Sequence, residues 1–195
     1  MTGIRARRHQ ATRREILDAA WVLAGDQGVS GISLRELGRR VGMKAPSLYT
    51  YFPNKDAIYD AMFAEGYRAL ASHYEQWEGA LQSEDRVAAL TEAVSGFVGF
   101  CQASPARYQL MFTRAVPGWE PSPEAYAESV DGYRQMAAAL AGLGIEGDRA
   151  LDLFTAVTAG LAAQQMSNDP AGDRWRRLAG DAVRMLLAHL QTGAP

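Results

Sequence analysis

One cysteine, Cys101, leaves no room for an intrachain disulfide framework or a multi-cysteine metal site. The three histidines, His9, His73 and His189, are far apart, and none belongs to an H-E-x-x-H pattern or another metal-ligand spacing. No G-x-S-x-G nucleophile elbow and no glycine-rich phosphate loop of Walker or Rossmann type is recognised. Acidic pairs such as Glu84-Asp85 sit at expected helix starts, where complementing the helix dipole accounts for them. No catalytic residue, metal or cofactor is therefore expected, and an enzyme is disfavoured. No run of 18 or more apolar residues offers a membrane span, and the Arg-rich start has no apolar h-region behind it, which points to a cytoplasmic protein without a membrane partner. Strand-like alternation, internal repeats and low-complexity tracts are also lacking.

What is present is the composition of a folded chain. Hydrophobic content of 48% and charged content of 22% are globular values. A chain of 195 residues holds a core large enough for one or two domains. The net charge of -2 conceals a division. Residues 1–60 hold ten of the twenty Arg and Lys and six of the twenty-two acids, net +4, which leaves ten against sixteen, net -6, for the remainder. A basic head on an acidic body turns one end towards a polyanion. Cys101 closes the apolar run Phe97-Val98-Gly99-Phe100-Cys101, which favours a buried structural thiol over a redox sensor.

The densest signal runs from Ser33 to Lys55. Ser33-Leu34-Arg35-Glu36 is an S-x-x-E capping box, so a helix starts at Leu34, and Leu34, Leu37 and Val41 form its apolar stripe. Gly42 then takes the left-handed conformation that ends a helix at no steric cost. A second short helix is predicted over Ala45 to Tyr51, with Pro46 in its first turn and Leu48 and Phe52 turned to the core. Two helices joined by a short glycine-containing turn form a helix-turn-helix. Upstream, Thr12 with Glu15 repeats the capping pattern, and Ile16, Ala20 and Leu23 give the apolar face of a helix that Gly28 stops. Downstream, Asn54 caps a third element. The head is thus a three-helix bundle around Ile16, Leu23, Leu37, Val41 and Leu48.

The run Gly42-Met43-Lys44-Ala45-Pro46-Ser47-Leu48-Tyr49-Thr50-Tyr51-Phe52-Pro53-Asn54-Lys55 resembles the DNA-binding domain of the TetR family of transcriptional regulators. The resemblance covers about the first 60 residues, and Tyr51 departs from it at a position where many members carry His. It implies phosphate contacts for Tyr49 and Lys55, a helical body that binds an effector, and dimerisation through the last helices into a four-helix bundle.

The residues themselves divide between reading and positioning. Lys44 can donate to guanine O6 or N7, Ser47 suits either base type, Ala45 and Pro46 offer apolar contact, and Arg35 has the bidentate fork that suits guanine. Thr50 shares this outward face. Ser33, Tyr49, Tyr51 and Lys55 are assigned to phosphates, with packing between helices as the alternative for the two tyrosines. Residues 1–11 are predicted to be a mobile basic arm; Arg5, Arg7, Arg8, Arg13 and Arg14 put five positive charges in fourteen residues with no acid, ready for phosphates or a minor groove.

The fold class is all-α, with about nine helices. Residues 1–54 form the helix-turn-helix head with its basic arm, and residues 55–195 form the effector-binding and dimerisation body. A long helix is predicted from Lys55 to about Leu81, carrying Ile58, Met62, Tyr67, Leu70 and Trp77, with Gly66 as its weak point and a coupling role between head and body. Ser83-Glu84-Asp85 opens a helix through about Ala103, and Ser104-Pro105 opens one through Phe112. The loop Val116–Pro121 follows, then a helix from Ser122-Pro123-Glu124 to near Gly142. Two more cover about Asp148–Ser167 and Ala171–Gln191. Large apolar residues in the body are either core or the lining of a small-molecule pocket: Phe97, Cys101, Tyr108, Met111, Phe112, Tyr126, Tyr133 and Phe154. The wide apolar stripes of the last two helices, with Val157, Gly160, Leu161, Trp175, Leu178, Ala182, Met185 and Leu186, can face a second copy. Taken with the resemblance, these features lead us to expect a homodimeric, effector-released repressor of a palindromic operator in double-stranded DNA. An activator, a corepressor-dependent regulator and an architectural DNA binder without an effector stay open.

Overall fold

The computed structural model describes residues 2–75 and 85–191, with the side chains of residues 2 and 75 left out. Among the described residues there are nine α-helices and no strand. They are α1 (Thr2–Gln27), α2 (Leu34–Arg40), α3 (Ala45–Leu48), α4 (Asp56–Glu75), α5 (Arg86–Ala103), α6 (Pro105–Phe112), α7 (Pro123–Gly142), α8 (Asp148–Asn168) and α9 (Ala179–Gln191). Short 3-10 turns cover Val29–Gly31 and Arg176–Leu178.

The chain divides into two compact units, Met1–Tyr67 with Pro105–Ser129, and Arg68–Ser104 with Val130–Pro195. In the first, α1 packs against α2 and α6, and α2 against α3. Ile16, Leu23, Leu37 and Leu48 are buried in one core with Phe52, Ile58, Met62 and Phe63, and Val41 packs against it partly exposed. Ala106, Leu110, Val116 and Ala125 belong to the same core, so the head does not close on residues 1–54 alone. Asp60 ties the loop before α7 down: its carboxylate accepts from Trp119 Nε1 at 3.2 Å and from Ser122 N at 3.1 Å. Gly66, the expected weak point of α4, lies where a Cβ would stand 2.6 Å from Met111 Sδ, so the missing side chain makes room for Met111.

In the second unit, α5 packs on α8 and α9. Val98 and Cys101 of α5 are almost fully buried, with Leu151, Phe154 and Ala162 of α8 and Val183 and Leu187 of α9 also in the interior. The α8–α9 connection is organised by one side chain. Gln165, fully buried, donates through Nε2 to the carbonyls of Asp169 and Gly172, and its Oε1 accepts from Trp175 N at 2.9 Å and Arg176 N at 3.0 Å. Both donors and both lone pairs of the amide are used.

Several expectations change. The basic arm is helical from Thr2, because Arg5, Ala6, Arg7, Arg8, Gln10 and Ala11 are good helix formers and no Pro interrupts them; Thr12 lies inside α1 rather than capping it. The second helix of the motif ends at Leu48 instead of Tyr51, since Pro53 supplies no N–H and disfavours helix at Phe52. The last helix begins at Ala179 rather than Ala171, because Gln165 and Asp169 satisfy the backbone of 172–176 in a looped form. Asp85 caps α5 by accepting from Ala88 N at 3.0 Å. The predicted continuation of α4 to Leu81, with Trp77, and the start at Ser83-Glu84 lie outside the described residues. One more pattern is in the sequence: Gly142-Leu143-Gly144-Ile145-Glu146-Gly147 spells G-x-G-x-x-G, but it joins two helices and no strand precedes it, so the Rossmann context is missing.

Candidate nucleic-acid interface

The interface is built by backbone geometry first. Ser33 Oγ accepts from Glu36 N at 3.1 Å and starts α2. The reciprocal half of the capping box is not made; the Glu36 carboxylate instead holds Arg39, at 3.0 Å from Nε and 2.5 Å from Nη2. Those hydrogen bonds, aided by the charges of Arg39, Arg40 and Arg35 and opposed by burial, hold Glu36 below its ordinary carboxylate value and raise Arg39. Arg40 pairs with Asp26 at 2.6 Å, pinning α2 to the end of α1. Gly42 has φ 67°, so the chain reverses without a Cβ penalty. Gly38 is the point of closest approach: a Cβ there would stand 2.7 Å from Met43 O and 3.2 Å from Ala45 N. Glycine at 38 and 42 therefore sets the angle at which α3 leaves α2.

That angle leaves one face of the head polar and open. Ser33, Arg35, Lys44, Pro46, Ser47, Tyr49 and Thr50 are exposed, Tyr49 to 53%. Ala45, Tyr51 and Lys55 are partly buried. The Lys55 ammonium lies 5.2 Å from the Tyr59 ring centroid, and Asn54 Oδ1 accepts from Ala57 N at 2.8 Å to cap α4 beside it. Tyr51 differs from its neighbours, since its ring packs 4.9 Å from that of His9.

The five arginines expected to meet phosphate separate into two groups. Arg5, Arg7 and Arg8 are exposed and make no ion pair among the described residues. Arg14 pairs with Asp18 at 2.9 Å and Glu65 at 3.3 Å. Arg13 donates through Nη1 to the Tyr51 carbonyl and lies 4.1 Å over the Phe52 ring. His9, expected in a mobile arm, and Arg13, expected to be ready for phosphate, are thus both turned to the protein; their i, i+4 spacing ahead of Ile16 and Ala20 was the available signal.

The expected effector residues fall in both units. Tyr108, Met111, Phe112 and Tyr126 belong to the first, and Phe97, Cys101, Tyr133 and Phe154 to the second. Phe97, Cys101, Met111 and Phe154 are buried, whereas Phe112, Tyr126 and Tyr133 are exposed. In the first unit an aromatic chain runs from Tyr59 through Trp119, Phe63 and Tyr67 to Phe112, with centroids 4.9–5.9 Å apart. The Tyr67 hydroxyl donates to Met111 O at 3.4 Å, and burial, with the nearby Tyr126, pushes its pKa up to about 12. In the second unit an apolar groove of 390 Å³ runs between α8 and the start of α9. It is lined by Val157, Gly160, Leu161, Trp175, Leu178, Ala182 and Met185, all expected to face a second copy; Leu186, the eighth, is buried.

Comparison with known proteins agrees with the head's geometry. Residues 16–62 match the family model described as "Bacterial regulatory proteins, tetR family". Over those residues the head is similar to the TetR family. An HTH-type transcriptional regulator of Mycobacterium tuberculosis is 29% identical over 122 residues, 58% of this chain and 51% of that protein. The tetracycline repressor protein class D of Escherichia coli is 32% identical over 79 residues, 36% of this chain and 35% of the repressor. The chain thus spans about half the length, or less, of these curated relatives. Along most of the chain the fold is that of a transcriptional regulator FadR from Bacillus subtilis, solved in complex with stearoyl-CoA, with a TM-score of 0.65 at 15% identity over 90% of this chain and 97% of that one.

Proposed function

We propose that the TetR-family head reads double-stranded DNA as part of a homodimeric, effector-released repressor. The observation that carries this reading is the exposed set Lys44, Pro46, Ser47, Tyr49 and Thr50, held by Gly38 and Gly42 at the entrance of a short helix and flanked by exposed Ser33 and Arg35. Residues 1–54 serve as the DNA-binding part and residues 55–195 as the effector and dimerisation part. Lys44, Ser47 and Arg35 read base edges, with Ala45 and Pro46 in apolar contact. Ser33, Tyr49, Thr50, Tyr51, Lys55 and the exposed Arg5, Arg7 and Arg8 hold phosphates. The apolar groove between α8 and α9 meets its own copy in a second chain, and two-fold symmetry then sets half-sites about 34–36 Å apart on a palindromic operator. The ligand is apolar or aromatic in character, a class supported by the acyl-CoA held by the Bacillus subtilis neighbour and by the aromatic residues of the body. It releases DNA only through unequal affinity for the two states of the dimer. The protein works in the cytoplasm and carries out no catalysis.

The test is selection of bound duplexes from a random pool at stated salt. Recovery of one palindrome supports the dimeric regulator and supplies a probe for ligands that release it. Recovery of no motif, with binding that disappears steeply as salt rises, favours an architectural DNA binder.

A further inference from the structure

We infer that His9 and Arg13 are positioning residues that clamp the end of the recognition segment and so set how Tyr49 and Thr50 meet DNA, an inference that rests on the DNA-binding reading above. The argument begins at Pro53. With no N–H at 53 and helix disfavoured at Phe52, α3 ends at Leu48, whose carbonyl still accepts from Tyr51 N and Phe52 N. The helix does not run on to supply donors to the carbonyls of Thr50 and Tyr51 just beyond it. Those two carbonyls are met from α1 instead. Nε2 of His9 faces Thr50 O at 3.4 Å, a bond made with the proton on Nε2, and Arg13 Nη1 donates to Tyr51 O. Each side chain also holds an adjacent ring, His9 against Tyr51 at 4.9 Å and Arg13 over Phe52 at 4.1 Å.

Positions 9 and 13 are one turn apart, on the stripe that continues into fully buried Ile16 and Ala20. The backbone of residues 50–52 is therefore referenced to a 26-residue helix anchored in the core, and not to the four residues of α3, too few to be rigid alone. A clamp at Thr50–Phe52 fixes the direction of the exposed side chains just before it. Arg13 is committed to protein groups, so it releases no counterion from DNA.

The test measures full-length chain on the duplex recovered from the random pool and on an unrelated duplex, each at several salt concentrations. Arg13→Gln should lose about tenfold in affinity for the recovered duplex, the size expected when one charge-assisted hydrogen bond goes. The unrelated duplex should lose a similar factor, because Tyr49 and Thr50 are assigned to phosphates. The slope of log affinity against log salt should not change, because neither residue is charged. Arg13→Lys keeps a cationic donor and should recover most of the loss, and His9→Phe, which keeps the ring contact, should lose less than Arg13→Gln. A slope lower by about 0.9 would make Arg13 a phosphate contact and overturn the clamp, as would unchanged affinity. If the wild-type chain recovers no motif, the specific-operator reading fails separately, and amide hydrogen exchange decides the clamp. Faster exchange of the Tyr51 and Phe52 amides in Arg13→Gln, with α8 unchanged, sustains it; unchanged exchange overturns it.

Discussion

The two exposed faces of this chain are made by opposite means. In the first unit the open face is polar and shaped by backbone: Gly38 and Gly42 fix an angle, and Lys44, Ser47, Tyr49 and Thr50 are what that angle leaves outside. In the second unit the open face is apolar and shaped by side chains, with Met185 exposed to 62% and Leu178 to 40% beside the small residues Gly160 and Ala182. A polar face needs no partner to be stable in water. An apolar groove of this kind gains on being covered, about 25 cal/mol for each Å² removed from water. Function is therefore expected to fail differently at the two faces, through geometry at one and through association at the other.

The sharpest break of this contrast is Leu178→Asp with Met185→Asp. Two charges in the groove should raise the dimer dissociation constant at least about 100-fold, read by sedimentation equilibrium, while thermal unfolding at high dilution hardly moves because both side chains are already exposed. In the head, Gly38→Ala should destabilise by about 2–3 kcal/mol, since the new methyl meets the backbone at Met43 O and Ala45 N rather than a flexible side chain. Chemical denaturation followed by a probe in the first unit measures it.

Alkali offers a third test. Burial pushes the Tyr67 phenol up to about 12 in the folded chain, against the ordinary value of about 10 when unfolded, so the unfolded state loses its proton first as pH rises. Its contribution is fully present below pH of about 10 and is lost between about 10 and 12, up to about 2 kcal/mol. Tyr67→Phe should flatten that part of the stability profile in denaturant titrations. Lys44→Ala should cost about 1–2 kcal/mol on the recovered operator and alter base preference, whereas Tyr49→Phe should weaken all duplexes alike; competition against single-base variants separates the two. The smallest effect expected is Asn54→Ala, about 1 kcal/mol from loss of the α4 cap, seen in thermal unfolding alone.

How much of this was readable in advance follows the range of the interactions. The helix-turn-helix was legible because its determinants are local: the Ser33 cap, Gly42 and Asn54 act within three residues of their partners. The start of α9 was not, because its delay depends on Gln165, ten and eleven residues before the amides it accepts from. The arm was misread because charge density argued for mobility while helix propensity argued for order, and the second prevailed. Arg13 was hidden by the same charge, its target 38 residues away. The groove was legible as a stripe of small and apolar residues, though not the early burial of Leu186. Among the proposed effector residues, size and apolarity did not separate buried Phe97 and Phe154 from exposed Tyr126 and Tyr133.

Gln165 carries a consequence for how such a chain can diverge. A glutamate there lacks the two donors, an asparagine is one methylene short, and a methionine offers neither partner, so the position tolerates almost a single letter. The groove walls on α8 and α9, which Gln165 itself does not line, bear no comparable restriction. Their composition is free to drift, and with it the identity of the acceptable partner, while the separation of the walls is inherited unchanged from one amide.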